Sequence, residues 1–324
     1  MASAFGLTLP QRGVLFGVMT YREMLDLAVQ AEDCDLFTSV WVGDSLTAKP
    51  RPEALGLLGA LAACTERLRL GVGCMASFPV RDPLLFAYQW ASLDQLSGGR
   101  MALAACTGLV AGGVSAREGA LWGVKDRERA ARLEENIDIC RRLWAEDDVS
   151  FDGRFTSFDG ASIEIKPTQS PCPIWIAANP PPGPFYERSV QRVATRADGW
   201  MTSQLFPGML AGYWRRLSEV LAENGKDPDA FPTIEYHNVN IGSEREACLE
   251  ESKRFLDEYY GPVFSPPMVE AWTAAGTPDD CVKHLNALVA DGAKQITLRM
   301  TAWDQQGQYR RLIEEVLPRV GNAT

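Results

Sequence analysis

Short apolar, β-branched runs alternate with longer stretches of helical period along most of the chain. The first run is Gly13 to Met19, followed by a helical face of Met24, Leu25, Leu27, Ala28 and Ala31. Phe37 to Val42 is the second run and precedes an apolar helix from Ala54 to Ala63. Leu68 to Met75 is the third, and its helix, Leu84 to Leu96, stops at Gly98-Gly99. Met101 to Cys106 is the fourth. The rhythm then pauses for an amphipathic helix, Arg127 to Trp144, and a hairpin signalled by Asp152-Gly153, with Phe158 to Ile165 as a further strand. It resumes with Ile174 to Ala178, a helix near Glu187 to Arg196, Trp200 to Leu205, a helix from Met209 to Asn224, and Thr233 to Ile241. A helix from Glu244 to Tyr260, an eighth run, Gln295 to Met300, and a closing helix, Gln308 to Val320, complete the series.

Eight runs separated by helices predict an α/β chain folded as a single (β/α)8 TIM barrel spanning residues 1–324. The segments around 109–170, which hold the hairpin after strand 4, and 261–278, before strand 8, read as insertions. A barrel places its active site at the C-terminal strand ends. The residues there are Met19-Thr20-Tyr21, Gly43-Asp44-Ser45, Gly73-Cys74-Met75, Cys106-Thr107-Gly108, Ala178-Asn179, Ser203-Gln204, Asn240 and Thr301-Ala302-Trp303. The set is small, apolar or neutral polar with one acid, which suits a flat, uncharged ring.

Composition narrows the partners. With 324 residues, 46% hydrophobic and 23% charged, the chain is an ordinary globular one. Its net charge of −10 argues against a nucleic-acid or anionic-membrane surface, while leaving room for a local basic pocket. No apolar run approaches about 18 residues and the start shows no secretory pattern. The eight cysteines form no C-x-x-C pair and point to reduced thiols in a cytoplasm. With two histidines, His237 and His284, a histidine-rich metal site is not expected.

Several motifs carry competing readings. Gly43-Asp44-Ser45-Leu46 spells the GDSL esterase signature, with Ser45 as nucleophile, but Asp280 and His284 have three residues between them rather than two and lie on one helix face. His284 otherwise reads as a solvated helix residue and His237 as a hydrogen-bonded core residue. Gly71-x-Gly73-x-x-Ala76 is a weak dinucleotide fingerprint, because Pro79 and Pro83 forbid the helix that must follow directly. The loop Ala178-Asn179-Pro180-Pro181-Pro182-Gly183-Pro184 leads into a helix with Arg188 and Arg192, either an anion site or a stiff loop with solvated arginines. Asp44 either contacts substrate or cofactor or caps its loop. Cys74 and Cys106 read first as small buried hydrophobes.

In order along the chain, Ser39-Val-Trp-Val-Gly-Asp44, Arg69-Leu-Gly-Val-Gly-Cys74, Leu93-Asp-Gln-Leu-Ser-Gly-Gly-Arg100, the helix from Arg132-Leu-Glu-Glu to Arg142-Leu-Trp144, Pro173-Ile-Trp-Ile-Ala-Ala178 and Ala197-Asp-Gly-Trp200 resemble the bacterial-luciferase-like family. That family comprises flavin monooxygenases and coenzyme F-420 oxidoreductases. The resemblance implies reduced FMN, or alternatively coenzyme F-420, at the barrel mouth. Its ring would rest on Gly73, Cys74 and Cys106, with a cis Gly73–Cys74 bond, against Thr107 and Gly108, and its phosphate near Ala178, Asn179, Arg188 and Arg192.

The activity this implies is a reduced-FMN monooxygenase acting on a small organic molecule, with an F-420-dependent hydride transfer as the alternative, and an esterase or an idle cofactor-binding protein as further ones. Asp44 and Ser45 are the candidate catalytic residues. Thr20, Tyr21, Phe264, Trp272 and Trp303 are the candidate substrate wall. A homodimer, and a separate flavin reductase for the FMN version, follow from the same likeness. Two positions depart from the sugar-phosphate dehydrogenases of the family: Ser45 stands where they carry a histidine base, and Leu109 where they carry a glutamate.

Overall fold

The computed structural model describes residues 4–108, 113–178, 185–203 and 209–321. Eight parallel strands close on themselves. They are β1 (Ala4–Thr8), β2 (Phe37–Val42), β3 (Arg69–Met75), β4 (Met101–Ala105), β7 (Ile174–Ala177), β8 (Gly199–Ser203), β9 (Thr233–Ile241) and β11 (Gln295–Met300). β9 pairs with both β8 and β11, which shuts the barrel. The outer ring holds α1 (Tyr21–Asp33), α2 (Ala54–Cys64), α3 (Pro83–Leu96), α5 (Arg129–Ala145), α6 (Tyr186–Arg196), α7 (Met209–Glu223), α8 (Arg245–Tyr260), α10 (Pro278–Ala290) and α11 (Gln305–Arg311). The predicted hairpin is present as antiparallel β5 (Val149–Asp152) and β6 (Ser157–Ala161), and α4 (Val114–Leu121) precedes it. Among the described residues no helix is long and apolar enough to cross a membrane.

Two expectations are corrected. Gly13 to Met19 is not the first strand: Gln11–Phe16 forms a 3-10 turn, and the alternation of Ala4–Thr8 supplies β1 instead. The segment 261–278 is not only an excursion. It contains a short helix, α9 (Pro266–Ala271), and a ninth parallel strand, β10 (Thr273–Gly276). β10 pairs with Asn238 to Ile241, beyond the point where β8 leaves the same edge of β9.

The barrel interior is filled by pairing large residues with none. Trp41 on β2 lies in register with Gly71 on β3, and Trp175 on β7 with Gly199 on β8. A Cβ on Gly71 would meet the Trp41 ring at 2.2 Å, and one on Gly199 would meet Trp175 at 2.6 Å. The two indoles tilt against each other at 6.0 Å. Ala102, Ala104, Met201 and Ile234 complete this inner core. Leu, Val and Ile on the outward strand faces pack against the helices as a separate, larger core.

Candidate active site

At the C-terminal ends of β3, β4, β7 and β8 the inner core opens as a bed of small side chains. Cys74 and Ala177 pack on it from above. The Gly73–Cys74 peptide is cis, as the resemblance implied. A Cβ at Gly73 would lie 2.9 Å from the Met201 methyl and 3.1 Å from Trp41, so a side chain there would have to push the Met201 terminus aside and crowd the indole. Gly108 has φ +88°, and the buried Arg129 donates to the carbonyls of Thr107, Ala76 and Ser115, tying the β3 and β4 loops together. This side of the mouth is flat, apolar and lacks bulky side chains. It fits a planar tricyclic ring of the flavin or deazaflavin type.

The Cys74 and Cys106 sulfurs touch at 2.6 Å. Contact with the Cys106 thiol, helped by the Lys49 ammonium, holds the Cys74 thiol below its ordinary value, and burial opposes this. The same contact, and then burial, push Cys106 well up.

The opposite side of the mouth is polar and cationic. Arg299, inward-facing on β11, is fully buried and donates from Nε and Nη2 to Asn238 Oδ1 at 3.1 and 2.8 Å. Its Nη1 donates to the Tyr260 hydroxyl at 2.7 Å. The rings of Tyr236, Tyr259, Tyr260 and Trp272 surround it at 4.8–5.3 Å. Lys49, also buried, lies 4.7 Å over the Tyr260 ring. Burial raises the Tyr260 phenol, but the charges of Arg299, Arg51 and Lys49 outweigh it and leave the group below its ordinary value. Burial likewise lowers the Lys49 ammonium.

The loop that carries Lys49 is built by capping. The Ser45 hydroxyl accepts from Lys49 N at 2.9 Å and donates to its carbonyl at 3.2 Å. One oxygen of Glu118, on α4, accepts the backbone N–H groups of Leu46, Thr47 and Ala48 at 2.7–3.0 Å. Asp44 accepts from Ser77 N at 2.7 Å and pairs with Arg81 at 3.3 Å. Asp44 and Ser45 thus stand just beyond β2, and the bonds they make frame the loop. The esterase alternative has no geometry. Asp280 is engaged in the N-terminal cap of α10 with Thr277, and His284 bonds His237 Nε2 to Nε2 at 2.9 Å. His284 is therefore not a solvated residue, whereas His237 is the buried, hydrogen-bonded residue anticipated.

Of the expected substrate wall, Phe264 and Trp272 are buried behind Tyr260 and shape its position. Trp303 stands apart, partly exposed and edge-on to the buried Phe255 of α8. Thr20 caps α1 through Glu23, and Tyr21 is exposed on that helix, because the first strand ends at Thr8 rather than Met19. Arg192 pairs with Glu134 at 2.6 Å, while Arg188 is exposed with its guanidinium 5.8 Å from the Phe185 ring. Asn179, Gln204 and Leu109 lie outside the described residues. Lys49, Tyr260 and Arg299 were missed. The one available signal was Arg299, a charge inside the otherwise apolar run Gln295 to Met300.

Residues 3–295 match the family model described as luciferase-like monooxygenase. The chain belongs to that family. It is 27% identical to an F420-dependent glucose-6-phosphate dehydrogenase of Amycolatopsis mediterranei, over 92% of this chain and 94% of the relative. An F420-dependent secondary alcohol dehydrogenase, solved with an F420-acetone adduct, superposes with TM-score 0.82 at 18% identity, covering 99% of this chain and all of that one. Monooxygenase RslO1 from Streptomyces bottropensis gives TM-score 0.80 at 20% identity, covering 97% and 99%. An F420-dependent dehydrogenase and a monooxygenase thus share this barrel.

Proposed function

We propose that the protein is a coenzyme F-420-dependent oxidoreductase that interconverts a hydroxyl and a carbonyl group. The observation that carries this reading is the Tyr260 phenol, held by Arg299 at 2.7 Å and neighboured by Lys49, on the cationic side of the mouth. When bound on that bed, the deazaflavin supplies or accepts the hydride. The chain's residues do the rest. Gly73, Cys74, Ala177 and Met201 hold the ring flat. Tyr260 holds or takes the hydroxyl proton of the substrate. Arg299 and Lys49 stabilise Tyr260 as the phenolate that takes this proton, and the surrounding rings keep water from them. This supplies acid–base chemistry where Ser45 and Leu109 replace the histidine and glutamate of the sugar-phosphate dehydrogenases. It also fits the polar wall, since an oxygenating site depends on a dry apolar cavity around the flavin. No separate flavin reductase is then required. The F420-dependent relatives support the same choice.

The test is an anaerobic titration with F-420 and with FMN, oxidised and reduced, followed by turnover assays with alcohols and sugar phosphates. F-420 should bind in preference. Tyr260→Phe should keep that affinity while lowering kcat by about 100-fold or more. Binding of reduced FMN alone, with oxygen uptake on mixing, would overturn the proposal in favour of the monooxygenase reading.

A further inference from the structure

The eight cysteines do not share one environment. Cys140, Cys172, Cys248 and Cys281 are buried, with Cys140 near Cys172 and Cys248 near Cys281, and burial pushes their thiols up, to about 12 for Cys172 and Cys281. Cys64 is partly exposed, and burial raises its thiol too. Cys74 and Cys106 differ in three respects. Their sulfurs touch at 2.6 Å. They are held in that contact by the barrel itself, because β3 and β4 pair up to Met75 and Ala105, and Cys106 N donates to the Met75 carbonyl at 3.3 Å. The pair is also asymmetric: Cys74 is partly exposed to the mouth, whereas Cys106 is 7% exposed beneath it.

Lys49 completes the arrangement. Its buried ammonium favours a Cys74 thiolate, against the opposing charge of Asp44, and, among the described residues, makes no ion pair of its own. An accessible thiol beside a cation, with a second thiol in contact behind it, is the layout of an attacking and a resolving cysteine.

We propose that Cys74 and Cys106 form a hydroperoxide-reactive dithiol at the barrel mouth, with Cys74 attacking and Cys106 resolving. In the first step the Cys74 sulfur attacks one peroxide oxygen. An S–O bond forms, the O–O bond breaks, and the departing oxygen leaves as water or alcohol with the proton Cys74 gave up. In the second step the Cys106 sulfur attacks the sulfenic sulfur. The S–S bond forms, the S–O bond breaks, and the hydroxyl leaves as water with the Cys106 proton. The two sulfurs together lose two electrons, which the two peroxide oxygens gain. A dithiol reductant returns both thiols by exchange. The proposal does not depend on which cofactor the bed takes.

The experiment treats the purified full-length protein with hydrogen peroxide at about one equivalent, followed by alkylation of remaining thiols and peptide mass mapping. One disulfide joining Cys74 to Cys106 is expected, reversed by dithiothreitol. Cys106→Ser should stop at a Cys74 sulfenic acid that dimedone captures. Lys49→Met should slow the reaction, because the Cys74 thiolate loses its neighbouring cation. Mapping the wild type needs no variant to fold. Oxidation falling first on Cys34 or Cys64, or a Cys74→Ser protein that consumes peroxide at the wild-type rate, would overturn the proposal.

Discussion

Individual residues set the shape of the mouth by what they leave out. Gly71 has no tolerance for a side chain, because the Trp41 ring occupies the space a Cβ would take. Gly71→Ala must therefore displace that indole, and we expect it to lower stability by about 1–3 kcal/mol in urea unfolding. A second residue governs the pH response. Glu235 faces away from the barrel axis, with both oxygens unpartnered. Burial, and next the charge of Asp291, push its carboxyl up to about 8. Burial holds His237 and His284 down to about 3. His237 Nδ1 is 3.7 Å from Glu235, too far for a hydrogen bond, and with both groups neutral the pair is not ionic.

The two effects have opposite signs. A carboxyl that keeps its proton in the fold stabilises fully below about pH 4.3, and that contribution is lost as pH rises toward 8. Histidines kept neutral in the fold make stability rise from about pH 3 to about pH 6.5. Above pH 6.5 Glu235 acts alone of the three. Glu235→Gln should therefore gain on the wild type by about 1–2 kcal/mol between pH 6.5 and 8, measured as the difference in chemical unfolding at the two pH values.

At the scale of elements, the loop after β2 and the helix α4 form one device. Glu118 gathers three backbone donors of that loop on a single carboxylate oxygen and so fixes where Lys49 stands. Glu118→Leu leaves those donors without a partner. It should cost about 2 kcal/mol and weaken ligand binding at the mouth, which differential scanning and the F-420 titration would show together. None of this was legible in the sequence, since nothing at Glu118 distinguishes it from other helix glutamates. What was legible follows from strong local pattern. The runs from Phe37 to Val42 and Thr233 to Ile241 are strands favoured by their β-branched and aromatic residues, whereas Met101 to Ala105, rich in helix formers, is held as a strand by its pairing with β3 and β7. The first strand was misplaced because Gly13 to Met19 is the more apolar stretch, although Ala4–Thr8 is the one that finds a partner in β11. β10 was missed because Thr-Ala-Ala-Gly has almost no strand signal. Its pairing is set by the long β9 beside it. Cys74 was placed at the bed from the family likeness, but its contact with Cys106 is a product of strand register and became visible only in three dimensions.

For the whole molecule, a chain of net charge −10 gathers Lys49, Arg51 and Arg299 at one opening. The mouth therefore has two unlike sides, a sulfur-bearing bed and a cationic aromatic wall, and a ring lying on the first must cover Cys74. Bound cofactor should slow alkylation of Cys74 by iodoacetamide in proportion to occupancy while leaving Cys34 untouched, as read by peptide mass mapping. Equal labelling of Cys74 at saturation would place the ligand elsewhere. The wall has a further property because β10 is knitted into β9 by strand pairing, with Asn238 N donating to the Trp272 carbonyl at 3.1 Å and Gly242 N to that of Gly276 at 2.8 Å. Phe264, Trp272 and the rings around Arg299 are consequently masonry and not a door. Their ordering is completed when the chain folds, so a ligand meets a surface that does not adapt to it. Such an enzyme sorts molecules by outline, and a change of substrate must come from exchanging side chains on that wall, since the wall has no play to lend.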